Sequence, residues 1–513
     1  MKVNEIKAGA ILSYMGLFLN MIIGILCTPI IIRALGQSEY GLYSLIGAII
    51  SYLTVLDFGL GNAIIIYTSR YRAKNEKENE YKLNGMLIFI YIIIGIIAAA
   101  VCGILYFNSN RLFGATFTDV ELSKVKTMII ILGVYFLLNF PLSIFGYIIT
   151  AYEKFIFSKV IQILKHILPP ILIITILFFN YKSVEMIILT VIINIILLLI
   201  NMLYCFKNLK IKIVFGKFNI GLLKEIFLYS FFIFLAIIVD KVNWSLGQII
   251  LGGVVGTAAV SIYSVAAQLQ LIYQSFSTAI SGVLLPKISI MVEKKATDKE
   301  LSDIFVKVGR LQYIILGYIL IAFIIFGKKF IEIWAGYNYL TSYYIALILM
   351  IPVTFPLLQN TGISILQAKN KHKFRTLVYS AIAIANIAIS VPLAKIYEGI
   401  GAAIGTAVSL VIGNIIIMNI YYYRKINIDV LKFWKEIFKM SIPNVINLII
   451  FIYLNTRFEI DNIYILIIEA VIYSLLYITI TFKFIANDYE KDIILKPINK
   501  VFKKRGVYDI DGR

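Results

Sequence analysis

The chain has 513 residues, 60% of them hydrophobic and 15% charged, with a mean hydropathy of +0.90. A soluble domain of this length needs far more polar surface, so a soluble enzyme is excluded. The net charge of +20 would suggest nucleic acid in a soluble protein. Here the cations sit in short clusters between apolar stretches of about 20 residues, the length a helix needs to cross about 30 Å of hydrocarbon. The charge is therefore read as membrane topology, with the lipid bilayer as partner and no nucleic acid.

In chain order the apolar pattern predicts spans near 10–32, 41–66, 83–107, 127–150, 158–179, 184–206, 224–250, 257–286, 307–327, 342–366, 374–394, 399–423, 437–454 and 462–484. The fold class is all-α: a polytopic membrane protein of about fourteen transmembrane helices. Leu87–Val101 is apolar throughout, which excludes the alternation of a membrane barrel. The first span is too long for a signal-peptide core and is expected to be retained. Pro141 interrupts span four, and Pro352 and Pro356 interrupt span ten; proline can kink a membrane helix without ending it.

An even number of spans puts both termini on one side. With that side cytoplasmic, about 37 Lys and Arg fall on inner segments and about 9 on outer ones. The inner groups include Arg70, Arg72, Lys74, Lys77 and Lys82, then Lys207, Lys210, Lys212 and Lys217. No loop exceeds about 25 residues, too short for a domain. The chain carries no P-loop, so ATP hydrolysis is not expected. Asp509 and Asp511 form a chance pair, His166 and His372 are isolated, and Cys27, Cys102 and Cys205 are small core residues. No cofactor or metal is expected.

A direct duplication at an offset of about 220 residues is legible in two places. Gly36, Tyr43 and Ser44, between spans one and two, align with Gly256, Tyr263 and Ser264, between spans seven and eight. Phe140-Pro141-Leu142 is echoed by Phe355-Pro356-Leu357. The expected organisation is a six-helix bundle at 1–220, a second at 221–425, two additional transmembrane helices at 426–485, and a basic cytoplasmic tail at 486–513. Two such bundles facing each other make a cavity that rocking exposes to alternate sides.

Polar residues inside spans mark candidates for its lining. Span one carries Ser13, Gly16, Asn20, Gly24 and Cys27 on one face; span seven carries Asp240, Asn243, Trp244 and Gly247, with Lys241 adjacent. Span eight adds Gln270, Gln274, Ser277 and Ser281; span two adds Ser44, Gly47, Ser51 and Thr54, with Asp57 further on. Close helix packing also explains small residues at this spacing. It does not explain a mid-membrane charge, which costs about 2.5–3.5 kcal/mol even on the lenient insertion scale. Asp240 and Lys241 point about 100° apart on a helix, so one faces a cavity and the other a neighbouring helix, or one makes a structural ion pair. Arg33 and Lys287, nearer span ends, can snorkel.

The segments Leu35-Gly36, Tyr40-Gly41-Leu42-Tyr43, Asp57-Phe58-Gly59-Leu60-Gly61, Arg70 and Leu366-Gln367-Ala368-Lys369 resemble polysaccharide flippases of the multidrug, oligosaccharidyl-lipid and polysaccharide exporter superfamily. The resemblance implies a transporter of the O-antigen type rather than an enzyme, in the bacterial inner membrane. The implied cargo is an undecaprenyl-pyrophosphate-linked oligosaccharide, with a polysaccharide polymerase and assembly proteins as partners. Asn20, Asn243, Gln270 and Gln274 would bond the sugars, Lys241 the pyrophosphate, and Arg33 and Arg70 the two mouths. Asp57 is a further candidate, and Asp240 would take a coupling proton or sodium ion. A multidrug and toxin extruder of about twelve spans, a lipid-linked peptidoglycan precursor flippase, a polymerase or ligase, and a structural membrane protein are the competing readings. The two extra spans and Lys241 weigh against the extruder, and the lack of a large outer loop weighs against the polymerase or ligase.

Overall fold

A computed structural model describes residues 4–216, 220–281, 285–369, 371–457 and 462–492. The described residues are helical almost throughout, with no strand among them. This is the expected consequence of apolar sequence in a bilayer, where each backbone polar group must find its partner inside its own segment.

Ten helical runs are long and apolar enough to cross a membrane. Two of them, Lys7–Ala73 and Phe374–Ile426, are 67 and 53 residues long and hold two spans each. With the helices Ile220–Val254 and Thr257–Ser281, the described segments supply fourteen spans. The protein is therefore a multi-pass membrane protein.

The first long run turns at Gly36 (φ 77°, ψ 174°), a region open essentially to glycine alone. Gly256, its partner in the duplication, has φ 134° at the start of the helix Thr257–Ser281. Tyr43 then hydrogen-bonds Thr190 of span six, while Tyr263 hydrogen-bonds Thr406 of span twelve. The aligned tyrosines thus meet threonines that are themselves almost one repeat apart. Thr406 also shares Asn386 Oδ1 and the Ala402 carbonyl with Ser390, in a buried knot of hydroxyl and amide groups.

Three spans differ from their expected outlines. Span two is not one helix over 41–66: it passes through a short 3-10 turn at Thr54–Asp57 and resumes at Leu60–Ala73, with Phe58 and Gly59 left-handed. The Asp-Phe-Gly-Leu-Gly segment is this break. Span ten runs through Pro352 and Pro356 and stops at Leu358, followed by a separate short helix, Asn360–Ala368. Pro141 lies inside an unbroken helix, Asp119–Ala151. Proline inside a membrane helix need not end it: Pro141 and Pro352 are both followed by further helix.

The chain separates into two compact units, one of Met1–Leu269, Tyr344–Leu349 and Phe374–Leu410, the other of Gln270–Tyr343, Met350–Lys373 and Val411–Arg513. In the second, the final two spans are anchored on span nine. Phe326, Phe451, Tyr473 and Tyr477 form an aromatic core, and the hydroxyls of Tyr473 and Tyr477 donate to the carbonyls of Tyr318 and Ile314, both at 2.8 Å.

Candidate functional site

Within the first unit, the ends of the spans away from the Lys- and Arg-rich loops are tied together. The helix Asp119–Ala151 opens with a capping box in which Thr118 and Glu121 satisfy each other's backbone. Glu121 does more than cap. Its Oε1 also accepts from Ser38, in the connection of spans one and two, and from Thr257 at 2.7 Å, at the start of span eight. Beside it, Glu39 accepts from Lys124 and Ser183. Gly41 packs so closely that a Cβ there would lie 2.0 Å from the Thr257 carbonyl oxygen. One carboxylate thus joins spans one, four and eight at this end.

The same unit holds two cavities lined by a mixture of apolar and polar side chains. The first, of about 250 Å³, lies between spans one and five. Ser13, Gly16 and Asn20 line one side, and Lys159, Gln162 and His166 the other. The second, of about 360 Å³, lies among spans two, four, five and six and is lined by Ser158, Gln162, Lys165, Asn194 and Asn201, with Tyr147. Gln162 borders both. Its carbonyl accepts from Lys159 at 3.0 Å. Asn20, Gln162, Lys165 and His166 are exposed within a helical pair that otherwise presents apolar side chains. Side chains of this kind inside a span face a bundle interior or a wet cavity, because lipid offers them no partner.

Of the residues expected from the sequence, Asn20 is in a cavity, and the span-one face of Ser13, Gly16 and Asn20 is its wall. Lys241 is half-buried and donates to Ser51 Oγ at 2.7 Å, while the Tyr52 hydroxyl donates to the Lys241 carbonyl at 3.1 Å. Asp240 and Asn243 lie on the same helix, but their side chains fall outside the described ones. Gln270 is 3% exposed, and its Nε2, like that of Gln274, is buried without a hydrogen bond. Asp57 is an anchor at the break in span two: it accepts from Tyr91 at 2.5 Å and from Tyr147, and caps Gly61 N. Arg33 is exposed at the end of span one. Arg70 faces Glu225 at 3.9 Å with both side chains more than half exposed, an arrangement worth little energetically. None of Lys241, Asp57, Arg33 and Arg70 lines the two cavities.

The polar face of span five was not among the expected cavity linings. Ser158, Gln162 and Lys165 recur there at spacings of four and three, the same signal that singled out span one. A lysine in an apolar span was visible, but the residues that share its cavity lie on other helices as well.

A family model described as polysaccharide biosynthesis protein matches residues 6–292. The chain is 21% identical to a putative O-antigen transporter of Shigella flexneri over 398 residues, 76% of this chain and 91% of that protein. Among solved structures it resembles the lipid II flippase MurJ in an inward closed conformation, with a TM-score of 0.71, 20% identity, and coverage of 95% of this chain and 99% of that one. It also resembles an inward-facing multidrug resistance MATE family transporter of the MOP superfamily, with a TM-score of 0.63, 13% identity, and coverage of 77% and 93%.

Proposed function

The chain belongs to the polysaccharide biosynthesis protein family, and from that premise we propose that it flips undecaprenyl-pyrophosphate-linked oligosaccharides from the inner to the outer leaflet by alternating access. The observation that carries this reading is a contrast within the first unit. Its two cavities set Lys159, Lys165 and the amides of Asn20, Gln162, Asn194 and Asn201 among apolar side chains, whereas the far ends of spans one, four and eight are tied by Glu121. A pyrophosphate needs Lys or Arg, sugars need amides and hydroxyls, and the lipid tail stays among apolar helices. A closed far end is what an inner-facing state requires.

In this reading Asn20, Gln270 and Gln274 bond sugar hydroxyls with Asn243, Lys241 meets the anion, and Arg33 and Arg70 serve the mouths. Asp240 is the candidate for a coupling proton or sodium ion. The protein sits in a bacterial inner membrane with both termini cytoplasmic, and hands its cargo to a polymerase. The two six-helix bundles of the duplication are the rocking bodies, and the paired turns at Gly36 and Gly256 support their common origin.

The test is a reversible lock. Cysteines replacing Ser38 and Ala258 should form a disulfide that stops complementation of a flippase-deficient strain, and reduction should restore it. Cross-linking that forms fully and leaves flipping unimpaired would refute alternating access. In liposomes, movement of a cationic dye but not of a lipid-linked oligosaccharide would replace the proposed cargo with that of a drug extruder.

A further inference from the structure

We propose that the first unit binds a phosphate-bearing group at the Lys- and Arg-rich ends of its spans, in a third cavity of about 600 Å³ where the connections after spans two, four and six converge. The inference goes beyond the flippase reading and does not depend on the cargo.

The duplication supplies a second version of the same place. Spans three and nine are helices of 37 residues each, beginning at Lys77 and Asp298. After spans four and ten the chain closes with the same backbone bond, from Lys154 N to the Ile149 carbonyl and from Lys371 N to the Leu366 carbonyl, which aligns Tyr152 with Lys369. After spans six and twelve, Lys210 and Asn427 are both left-handed, with φ of 52° and 60°. The residue following each, Ile211 or Ile428, donates back to the carbonyl of Cys205 or Tyr422. In the second unit these three positions form a knot: Asp298 accepts from Lys369 at 2.9 Å and from Asn427 at 3.1 Å. In the first unit they are Lys77, Tyr152 and Lys210, and all three line the cavity. A cation thus holds the position of the carboxylate that joins the knot.

Another cation is fixed beside them. The Arg72 guanidinium lies 4.0 Å over the Tyr152 ring, and its Nη1 donates to the Ala151 carbonyl at 2.5 Å. Its Nε and Nη2 have no partner among the described residues and are not buried. This is the edge that Arg310 presents to the two oxygens of Glu490 in the second unit. Lys77 and Lys210 are exposed, and their ammonium groups also have no partner among the described residues. Two carboxylates line the same cavity. Glu80 is 2% exposed and accepts from the Tyr152 hydroxyl at 2.6 Å, so it has little surface to offer a ligand. Glu153 is exposed. The open charges are therefore Arg72, Lys77 and Lys210 against Glu153, which selects an anion over a metal ion. A phosphate takes the edge of a guanidinium with two oxygens and still presents others to an ammonium; a carboxylate has only those two. Lipid head groups and free phosphate share this chemistry, and basic pockets at the membrane surface bind the former.

The experiment uses the full chain with its native cysteines replaced and with Ala73→Cys, an exposed position in the cavity lining, purified in a maltoside detergent that carries no phosphate. The rate of modification by a neutral, water-soluble thiol reagent is measured with inorganic phosphate or phosphatidylglycerol, against chloride at equal ionic strength, acetate and oleate. A phosphate-bearing probe should slow modification roughly threefold or more once it exceeds its dissociation constant about twofold, and the three controls should not. Slowing by phosphatidylglycerol alone assigns the site to a lipid head group; slowing by inorganic phosphate assigns it to a soluble phosphate. Lys77→Gln with Lys210→Gln removes two cations and no side-chain contact among the described residues, and should weaken apparent affinity about tenfold. Arg72→Lys keeps the charge without the fork and should weaken it as well. Glu153→Gln should preserve or strengthen protection. No protection by either phosphate probe overturns the proposal, as does equal protection by a control. Protection that survives the double lysine variant, or that is lost in Glu153→Gln, overturns it too.

Discussion

At the scale of single residues, burial decides what a charge is for. Arg310 is 7% exposed and donates to both oxygens of Glu490, at 2.6 and 2.9 Å, to Glu436 at 2.6 Å and to the Ile485 carbonyl at 3.1 Å. Glu490 is fully buried. Removing the cation would leave that carboxylate stranded, so Arg310→Ala should cost about 3–5 kcal/mol. Arg310→Lys should recover only part of this, because an ammonium cannot reproduce the fork; thermal unfolding in detergent would rank the three proteins. Gly41 is the steric counterpart. Its approach to the backbone of Thr257 leaves no room for a methyl group. Gly41→Ala should destabilise by about 1–3 kcal/mol, and should slow disulfide formation between cysteines at positions 38 and 258. Unchanged cross-linking would mean that the two backbones do not need to meet. Neither role is legible in the sequence. Glu436 and Glu490 are 126 and 180 residues from Arg310, and Gly41 is helical, with nothing local to distinguish it.

At the scale of elements, the chain breaks its helices where a second requirement overrides helix propensity. The turn at Gly36 has backbone angles that a side chain tolerates poorly. Gly36→Ala should therefore cost about 1–3 kcal/mol, read as a lower unfolding temperature. The glycine was visible in the sequence as half of a repeated motif, and its conformation gives that motif a physical cause. The break at Thr54–Gly59 was not visible, because Ser51-Tyr52-Leu53-Thr54-Val55-Leu56 reads as continuous apolar helix. What opens it is tertiary: Asp57 turns inward to Tyr91 and Tyr147, and a Cβ at Gly61 would lie 2.2 Å from the Tyr147 ring. The cap of span four makes a separable prediction. Thr118→Ala should lose a cap worth about 0.5–2 kcal/mol. Glu121→Ala should lose that and also the tie to Ser38 and Thr257, so thiol reagents should reach a cysteine at position 38 faster in the second variant than in the first.

At the scale of the whole molecule, the distribution of Lys and Arg makes a prediction that no contact supplies. With the termini cytoplasmic, a cysteine replacing Asn110 should react with an impermeant reagent added to intact cells, and one replacing Asn79 should not. Both positions are exposed, so accessibility within the protein does not confound the result. The reverse pattern would invert the topology, and with it the direction of transport.

Composition and hydrophobic period were enough to determine that this chain is a bundle of spanning helices, because a bilayer permits few alternatives. The repeat spacing located the turns at Gly36 and Gly256, whereas the polar face of span one, expected toward a cavity between the bundles, lines one between spans one and five. Those signals are local, or recur at fixed distance. The partners were beyond reach: Glu121 with Thr257, Asp57 with Tyr91 and Tyr147, and, as neighbours on one cavity, Lys165 with Asn194 and Asn201. Each joins helices far apart in the chain, and which faces meet depends on how every helix is rotated about its axis. In apolar helices of low amphipathicity the sequence leaves that rotation weakly marked, and close packing of the assembled bundle decides it.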